Sequence, residues 1–203
     1  MMTVHEEETI TTTITEEEEE ILDFNSLGLD SRLVCALSKM GNGTIVNPTL
    51  IQSKGIPLAL SGKDILARAP TGSGKTLAYV LPVLHKILNC TTATAMSESS
   101  VQAVILVPTK ELALQVTTVI DRISRYCSKD SLRFCNLAAE DSLSLQQASL
   151  QASKANLIVS TPSRIIPHLS GGLIKLESGV FHTLVLDEAD LILSFGFQSD
   201  LDL

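Results

Sequence analysis

The chain has 203 residues, 44% of them hydrophobic and 3% aromatic, with 15 Lys and Arg against 23 Asp and Glu for a net charge of −8. This is enough chain to bury one core, and the composition excludes a collagen, a coiled coil and a wholly disordered polymer. No run approaches the roughly 18–20 unbroken apolar residues of a membrane span. The opening MMTVHEEETI lacks the basic-then-apolar order of a secretory signal.

The charge is concentrated at one end. Residues 1–23 carry nine acids, Glu6 to Glu8, Glu16 to Glu20 and Asp23, and no Lys or Arg. The rest holds 14 acids against all 15 basic residues, a net charge of +1, so the acidic pI does not argue against a nucleic-acid ligand. A block of like charge predicts a solvated, disordered tail over 1–23.

Helical and strand-like stretches then alternate. A helix is predicted over 30–40, with Asp30 as N-cap and Gly41 as stop. A second over 48–60 opens on Pro48, where the missing N–H costs nothing. An apolar strand over 64–69 runs into a helix over 75–88, which Pro82 should kink. Residues 91–100 are small and polar and read as a surface loop. Beyond them come a strand over 101–107, a helix over 110–126, a strand over 132–138, a helix over 141–152 and strands over 156–160 and 183–187. These short Ile-, Val- and Leu-rich runs read as buried parallel strands. Strand–helix alternation predicts an α/β fold, a mostly parallel sheet flanked by crossover helices.

The junction after the first strand reads Ala69-Pro70-Thr71-Gly72-Ser73-Gly74-Lys75-Thr76. Glycines at Gly72 and Gly74 let backbone N–H groups turn inward around phosphate oxygens. The following helix adds its positive end. Lys75 offers a charge to the β- and γ-phosphates and Thr76 a hydroxyl to Mg²⁺. Ala69 stands where this phosphate-binding pattern usually has Gly. The last strand runs into Asp187-Glu188-Ala189-Asp190. A carboxylate at the carboxyl end of a strand in such a sheet is placed to hold Mg²⁺ through water, and the next to align or deprotonate an attacking water. Cys35, Cys90, Cys127 and Cys135 have no metal-site spacing and read as buried, reduced thiols. His5, His85, His168 and His182 have no partnering pattern and receive no role.

These residues together resemble the first RecA-like domain of the DEAD-box ATP-dependent RNA helicases. Asp187-Glu188-Ala189-Asp190 is the sequence for which that family is named. Residues 43–52 (GTIVNPTLIQ), with Phe24 before them, resemble its adenine-reading Q motif. There the resemblance implies that Gln52 bonds the adenine edge and Phe24 packs on the base. Pro108-Thr109-Lys110-Glu111 resembles motif Ia, with Lys110 where Arg is common, and Thr161-Pro162-Ser163-Arg164 resembles motif Ib, with Ser163 where Gly is common. The five motifs fall in family order between Phe24 and Asp190. The resemblance implies catalytic roles for Lys75, Asp187 and Glu188. It implies ATP binding by Phe24, Gln52 and the loop Ala69 to Thr76, and Mg²⁺ at Thr76 and Asp187. RNA is expected at Pro108, Thr109, Lys110, Glu111, Thr161, Pro162, Ser163 and Arg164, held by its backbone with little sequence preference.

The family often has a Gly pair between motifs Ia and Ib, where this chain has Ala138-Ala139. With the following Glu140-Asp141-Ser142 and the later Ser194-Phe195-Gly196-Phe197, the chain is most similar to a nucleolar subfamily of large ribosomal subunit assembly. The expected organisation is an acidic tail (1–23), a Q-motif region (24–52) and a partial RecA-like ATP-binding domain (53–203). The family's Ser-Ala-Thr motif and second RecA-like domain are absent, which predicts an incomplete sheet. The implied activity is an RNA-dependent ATPase that unwinds duplex locally, in the nucleus or nucleolus. The alternative is a catalytically incompetent fragment that still binds RNA and ATP. A small-molecule kinase is disfavoured because the Arg residues are unclustered.

Overall fold

The computed structural model describes residues 23–40, 45, 47–90, 101–127, 132–140 and 142–194. Most of the acidic tail, Gly41, Gly43, Thr44, Val46, the loop at 91–100, Asp141 and the Phe195-Gly196-Phe197 stretch lie outside these. The chain divides into two compact units on either side of the Pro82–Val83 bond.

The first unit is helical. Helix α1 (Ser31–Met40) starts where Asp30 accepts from Arg32 N at 2.9 Å, the expected cap. The same carboxylate takes Arg32 Nε at 2.8 Å and a guanidinium N–H at 2.7 Å, a two-bond fork. Helix α2 (Leu50–Leu60) begins two residues after Pro48, with Thr49 as its N-cap. Pro48 therefore precedes the helix instead of opening it. Leu33, Ala36, Leu37, Ile51 and Ile56 are buried, as is Phe24, ahead of α1.

Residues 64–69 are not a strand. They run without regular structure from the end of α2 towards Pro70 and the start of α3, and Ile65 and Leu66 are 43% and 72% exposed. The apolar run has strand composition, but among the described residues no strand exchanges backbone hydrogen bonds with it, and a lone strand is not stable in water. Helix α3 (Lys75–Asn89) follows and continues through Pro82 as one helix.

The second unit is a four-stranded sheet. Strands β1 (Ala103–Leu106), β2 (Phe134–Asn136), β3 (Leu157–Ser160) and β4 (Thr183–Leu186) lie in the order β2-β3-β1-β4, and every pair is parallel. Each connection carries helix: α4 (Lys110–Ser124), then a 3₁₀ turn (Leu137–Ala139) leading to α5 (Leu143–Ser153), then α6 (Pro162–Ser170). A short α7 (Ala189–Ser194) follows β4.

The central strands β1 and β3 are buried along their whole length, as continuous apolar runs in a parallel sheet should be. On one face Val104, Leu106, Cys135 and Ile158 form a core with Leu137, Ile165, Ile174 and Ile192, and Leu150, Leu169 and Phe181 pack against it. The predicted strand at 132–138 is shorter than expected, because Asn136 Oδ1 accepts from Ala138 N at 3.0 Å and turns the chain into the 3₁₀ element. Edge strand β4 is half covered: Leu184 is 51% and Leu186 36% exposed, where a fully buried strand was expected. Cys127 and Cys135 are buried, but Cys35 is exposed and Cys90 half-buried, so two of the four thiols depart from the expected burial.

Candidate functional site

The loop from Ala69 to Thr76 is shaped by two left-handed glycines, Gly72 (φ 79°) and Gly74 (φ 91°). A Cβ on Gly74 would overlap the Gln52 side-chain nitrogen, so this position requires glycine for space as well as for torsion. Gln52 is 3% exposed and both ends of its amide are used: Oε1 accepts from Thr49 N at 3.0 Å, and Nε2 donates to Gly74 O at 3.0 Å. It thus joins the start of α2 to the loop at Gly74. Phe24 is 3% exposed and lines a small hollow with Val34, Leu37 and Ile45.

Lys75 Nζ donates to the carbonyls of Ala69 (2.6 Å) and Pro70 (3.0 Å), closing the loop on itself. The Ser73 hydroxyl is buried with no hydrogen-bond partner. An orphaned hydroxyl costs free energy until an acceptor or donor reaches it. Beside two left-handed glycines, a helix start and a lysine, it suits a loop that takes phosphate. Thr76 lies in the first turn of α3, half-buried.

The other motif residues lie along the carboxyl edge of the sheet. Register pairs Leu106 with both Ser160 and Leu186, so β1, β3 and β4 end side by side. Beyond them, Val107 N donates to Ser160 O (3.0 Å) and Asp187 N to Leu106 O (2.9 Å), extending the ladder past the strands. Three junctions consequently emerge together. After β1, Thr109 caps α4, its hydroxyl accepting from Leu112 N at 3.2 Å, with Pro108 before it and Lys110 and Glu111 exposed in the first turn. After β3, Thr161 is the N-cap of α6 and Pro162 its first residue. Ser163 is exposed, with its hydroxyl 3.3 Å from that of Thr161, and Arg164 is half-buried. After β4, Asp187 Oδ1 accepts from Glu188 N at 3.1 Å.

Glu188 has φ 52°, a left-handed conformation rarely adopted by a residue with a side chain. Such strain is concentrated at functional positions. Its carbonyl accepts from Leu191 N and Ile192 N and starts α7. Sequence carries no signal for this torsion. It also misses a buried polar link: His168 Nε2 lies 2.8 Å from Gln146 Oε1, and Gln146 Nε2 donates to Glu140 O at 2.8 Å. The one available hint is that His168 falls three residues after Ile165, on the apolar side of α6. Burial pushes the His168 imidazole below its ordinary pKa. His182 is displaced the same way, by partial burial and then by the Lys86 charge.

Among the described residues no cluster of three or more His, Cys, Asp or Glu side chains is placed to hold a metal. At the motif positions, Thr76 in the first unit offers a hydroxyl and Asp187 in the second a carboxylate, each an oxygen donor of the type that hard cations such as Mg²⁺ take. Also among the described residues, no helix is long and apolar enough to cross a membrane.

The DEAD/DEAH box helicase family model matches residues 49–203. The chain belongs to this family. It is 51% identical over 181 residues to the ATP-dependent RNA helicase dbp9 of Aspergillus terreus, covering 89% of this chain and 28% of that protein. It is 44% identical over 180 residues to the probable ATP-dependent RNA helicase ddx56 of Dictyostelium discoideum, covering 89% of this chain and 25% of that one. The chain thus spans little more than a quarter of the relatives it matches. A crystal structure of a DEAD box protein from the hyperthermophile Methanococcus jannaschii superposes with a TM-score of 0.73 at 32% identity, over 89% of this chain and 45% of that one. The parallel sheet flanked by helices is therefore the RecA-like architecture of DEAD-box proteins.

Proposed function

We propose that this chain is the ATP-binding part of an ATP-dependent RNA helicase, which couples hydrolysis of Mg²⁺-ATP to RNA binding and local duplex unwinding. Lys75 and the N–H groups of Gly72 to Lys75 hold the β- and γ-phosphates, replacing the carbonyl contacts that Lys75 makes now. Phe24 and Gln52 face the adenine, and Gln52 reports its presence to the loop through Gly74. Thr76 would offer its hydroxyl and Asp187 its carboxylate to Mg²⁺, whose charge would offset that of the phosphates, and Glu188 would orient the attacking water. RNA runs over the capped starts of α4 and α6, which bind phosphate and sugar without reading bases. The observation that carries this reading is the register that brings the Thr109, Thr161 and Asp187 junctions to one sheet edge. A role in large ribosomal subunit assembly in the nucleolus rests on the likeness of Ala138 to Ser142 and Ser194 to Phe197 to that subfamily.

A second reading, an RNA- and ATP-binding module without turnover, is favoured by the half-exposed edge strand β4. ATPase assays with and without single-stranded RNA separate the two. The nucleotide role is tested by Lys75→Ala. Loss of charge-assisted hydrogen bonds should weaken ATP binding by about tenfold to a hundredfold. Equal ATP affinity for parent and variant, with Mg²⁺ affecting neither, would remove the reading.

A further inference from the structure

The buried link between Gln146 and His168 joins three elements of the second unit. Gln146 is 2% and His168 1% exposed. Gln146 Oε1 can only accept, so His168 Nε2 carries the proton and donates, and Gln146 Nε2 passes the chain on to the Glu140 carbonyl. His168 lies on α6, the helix whose first turn is Thr161 to Arg164, and Gln146 lies on α5. Glu140 ends the Ala138-Ala139 turn that leaves the carboxyl end of β2, the strand beside β3. The link therefore ties the segment after β2 to the helix after β3, across neighbouring strand ends. The Gln146 and His168 side chains are buried and the bond to Glu140 is partly so, and breaking either bond leaves a buried polar group of Gln146 unpaired.

We propose that Gln146 is a positioning residue for RNA, holding the Ala138-Ala139-Glu140 turn and α6 at one fixed spacing so that successive backbone phosphates meet both. This inference rests on the RNA-binding reading above. The two alanines lack side chains that would reach across to a phosphate, so any contact there is made by backbone, and its position depends on what anchors that backbone. Asn136 Oδ1 holds the Ala138 N–H within the element that Asn136 caps, and the Gln146 amide ties the Glu140 carbonyl at its far end to α5 and α6. Gln146 itself touches no ligand in this scheme.

The test is the salt dependence of a fluorescein-labelled single-stranded RNA binding to the full chain, measured by anisotropy for the parent, Gln146→Met and Arg164→Ala. Losing one phosphate contact lowers the slope of log K against log salt by about 0.7 on a single strand. A variant that is merely less folded binds with a lower active fraction and an unchanged slope. The expected result is a shallower slope for both variants, with affinity for a fluorescent ATP analogue unchanged in Gln146→Met. His168→Gln, whose amide N–H reaches the Nε2 position, should keep the parental slope, whereas His168→Asn should not. This pair reads the same bond should Gln146→Met fail to melt cooperatively. A shallower slope for Arg164→Ala with parental slopes for Gln146→Met and His168→Asn would overturn the positioning role alone. A parent that binds no RNA, or an Arg164→Ala slope equal to the parent's, would overturn the RNA reading and this inference with it.

Discussion

Gly74 shows how one position combines torsion and space. Its φ of 91° disfavours any side chain, and its missing Cβ is what admits the Gln52 amide. Gly74→Ala should lower stability by about 1–2 kcal/mol from the torsion, and should weaken ATP binding at least tenfold because Gln52 is displaced. Denaturant melts and nucleotide titration check the two effects separately; unimpaired binding would mean that the Gln52 contact is dispensable. The loop is legible in sequence because Gly, Lys and Thr at these spacings have few other uses. The orphaned Ser73 hydroxyl, the buried Gln52 amide and the left-handed Glu188 are not, since each depends on neighbours distant in sequence or on a torsion that no residue type announces. Gln52 shows the difference well: its motif suggests an adenine contact, while the fold shows its amide engaged by Thr49 and Gly74.

At the scale of elements, caps and periodicity are locally encoded. Asp30, Thr49, Thr109 and Ser142 stand at helix starts, and the side chains of Asp30, Thr109 and Ser142 satisfy N–H groups that the helix leaves unpaired. Helix α6 is where an element gains a property its sequence does not show. His168 looks like an ordinary polar residue near a helix end, yet it is buried. Its pKa is below the ordinary 6.5 because burial penalises the charged form. The unfolded chain therefore binds more protons than the folded one between the two values. Stability is full above about pH 6.5 and declines as pH falls towards the folded pKa, by at most about 1.4 kcal/mol per pH unit for this proton. Urea melts of parent and His168→Gln between pH 7.5 and 5.5 check this: the parent should lose more stability than the variant. His182 has the same sign and is common to both proteins, so it cancels in the comparison.

At the scale of the whole molecule, not every run with strand composition becomes a strand. Residues 64–69 carry the apolar pattern of a buried strand but pair with no strand among the described residues, and β4 stands at the sheet edge with Leu184 and Leu186 exposed. An open edge with apolar side chains is a template for pairing with other chains. The chain should self-associate at high concentration, and Leu184→Lys should reduce static light scattering on warming while leaving ATP affinity unchanged; scattering equal to the parent's would place the association elsewhere. By contrast, β1 and β3 are covered on both faces, and Ile105→Ala or Ile158→Ala should each cost about 2–5 kcal/mol in denaturant melts. Composition, alternation and five short motifs determined the α/β class and the family and marked the residues proposed to meet nucleotide and RNA, because torsional preference, charge and hydrophobic period are written residue by residue. Tertiary structure alone decided which apolar runs became strands, which amides and imidazoles were buried, and how the junctions line up, because a strand exists only beside a partner and a buried hydrogen bond only where two distant segments meet.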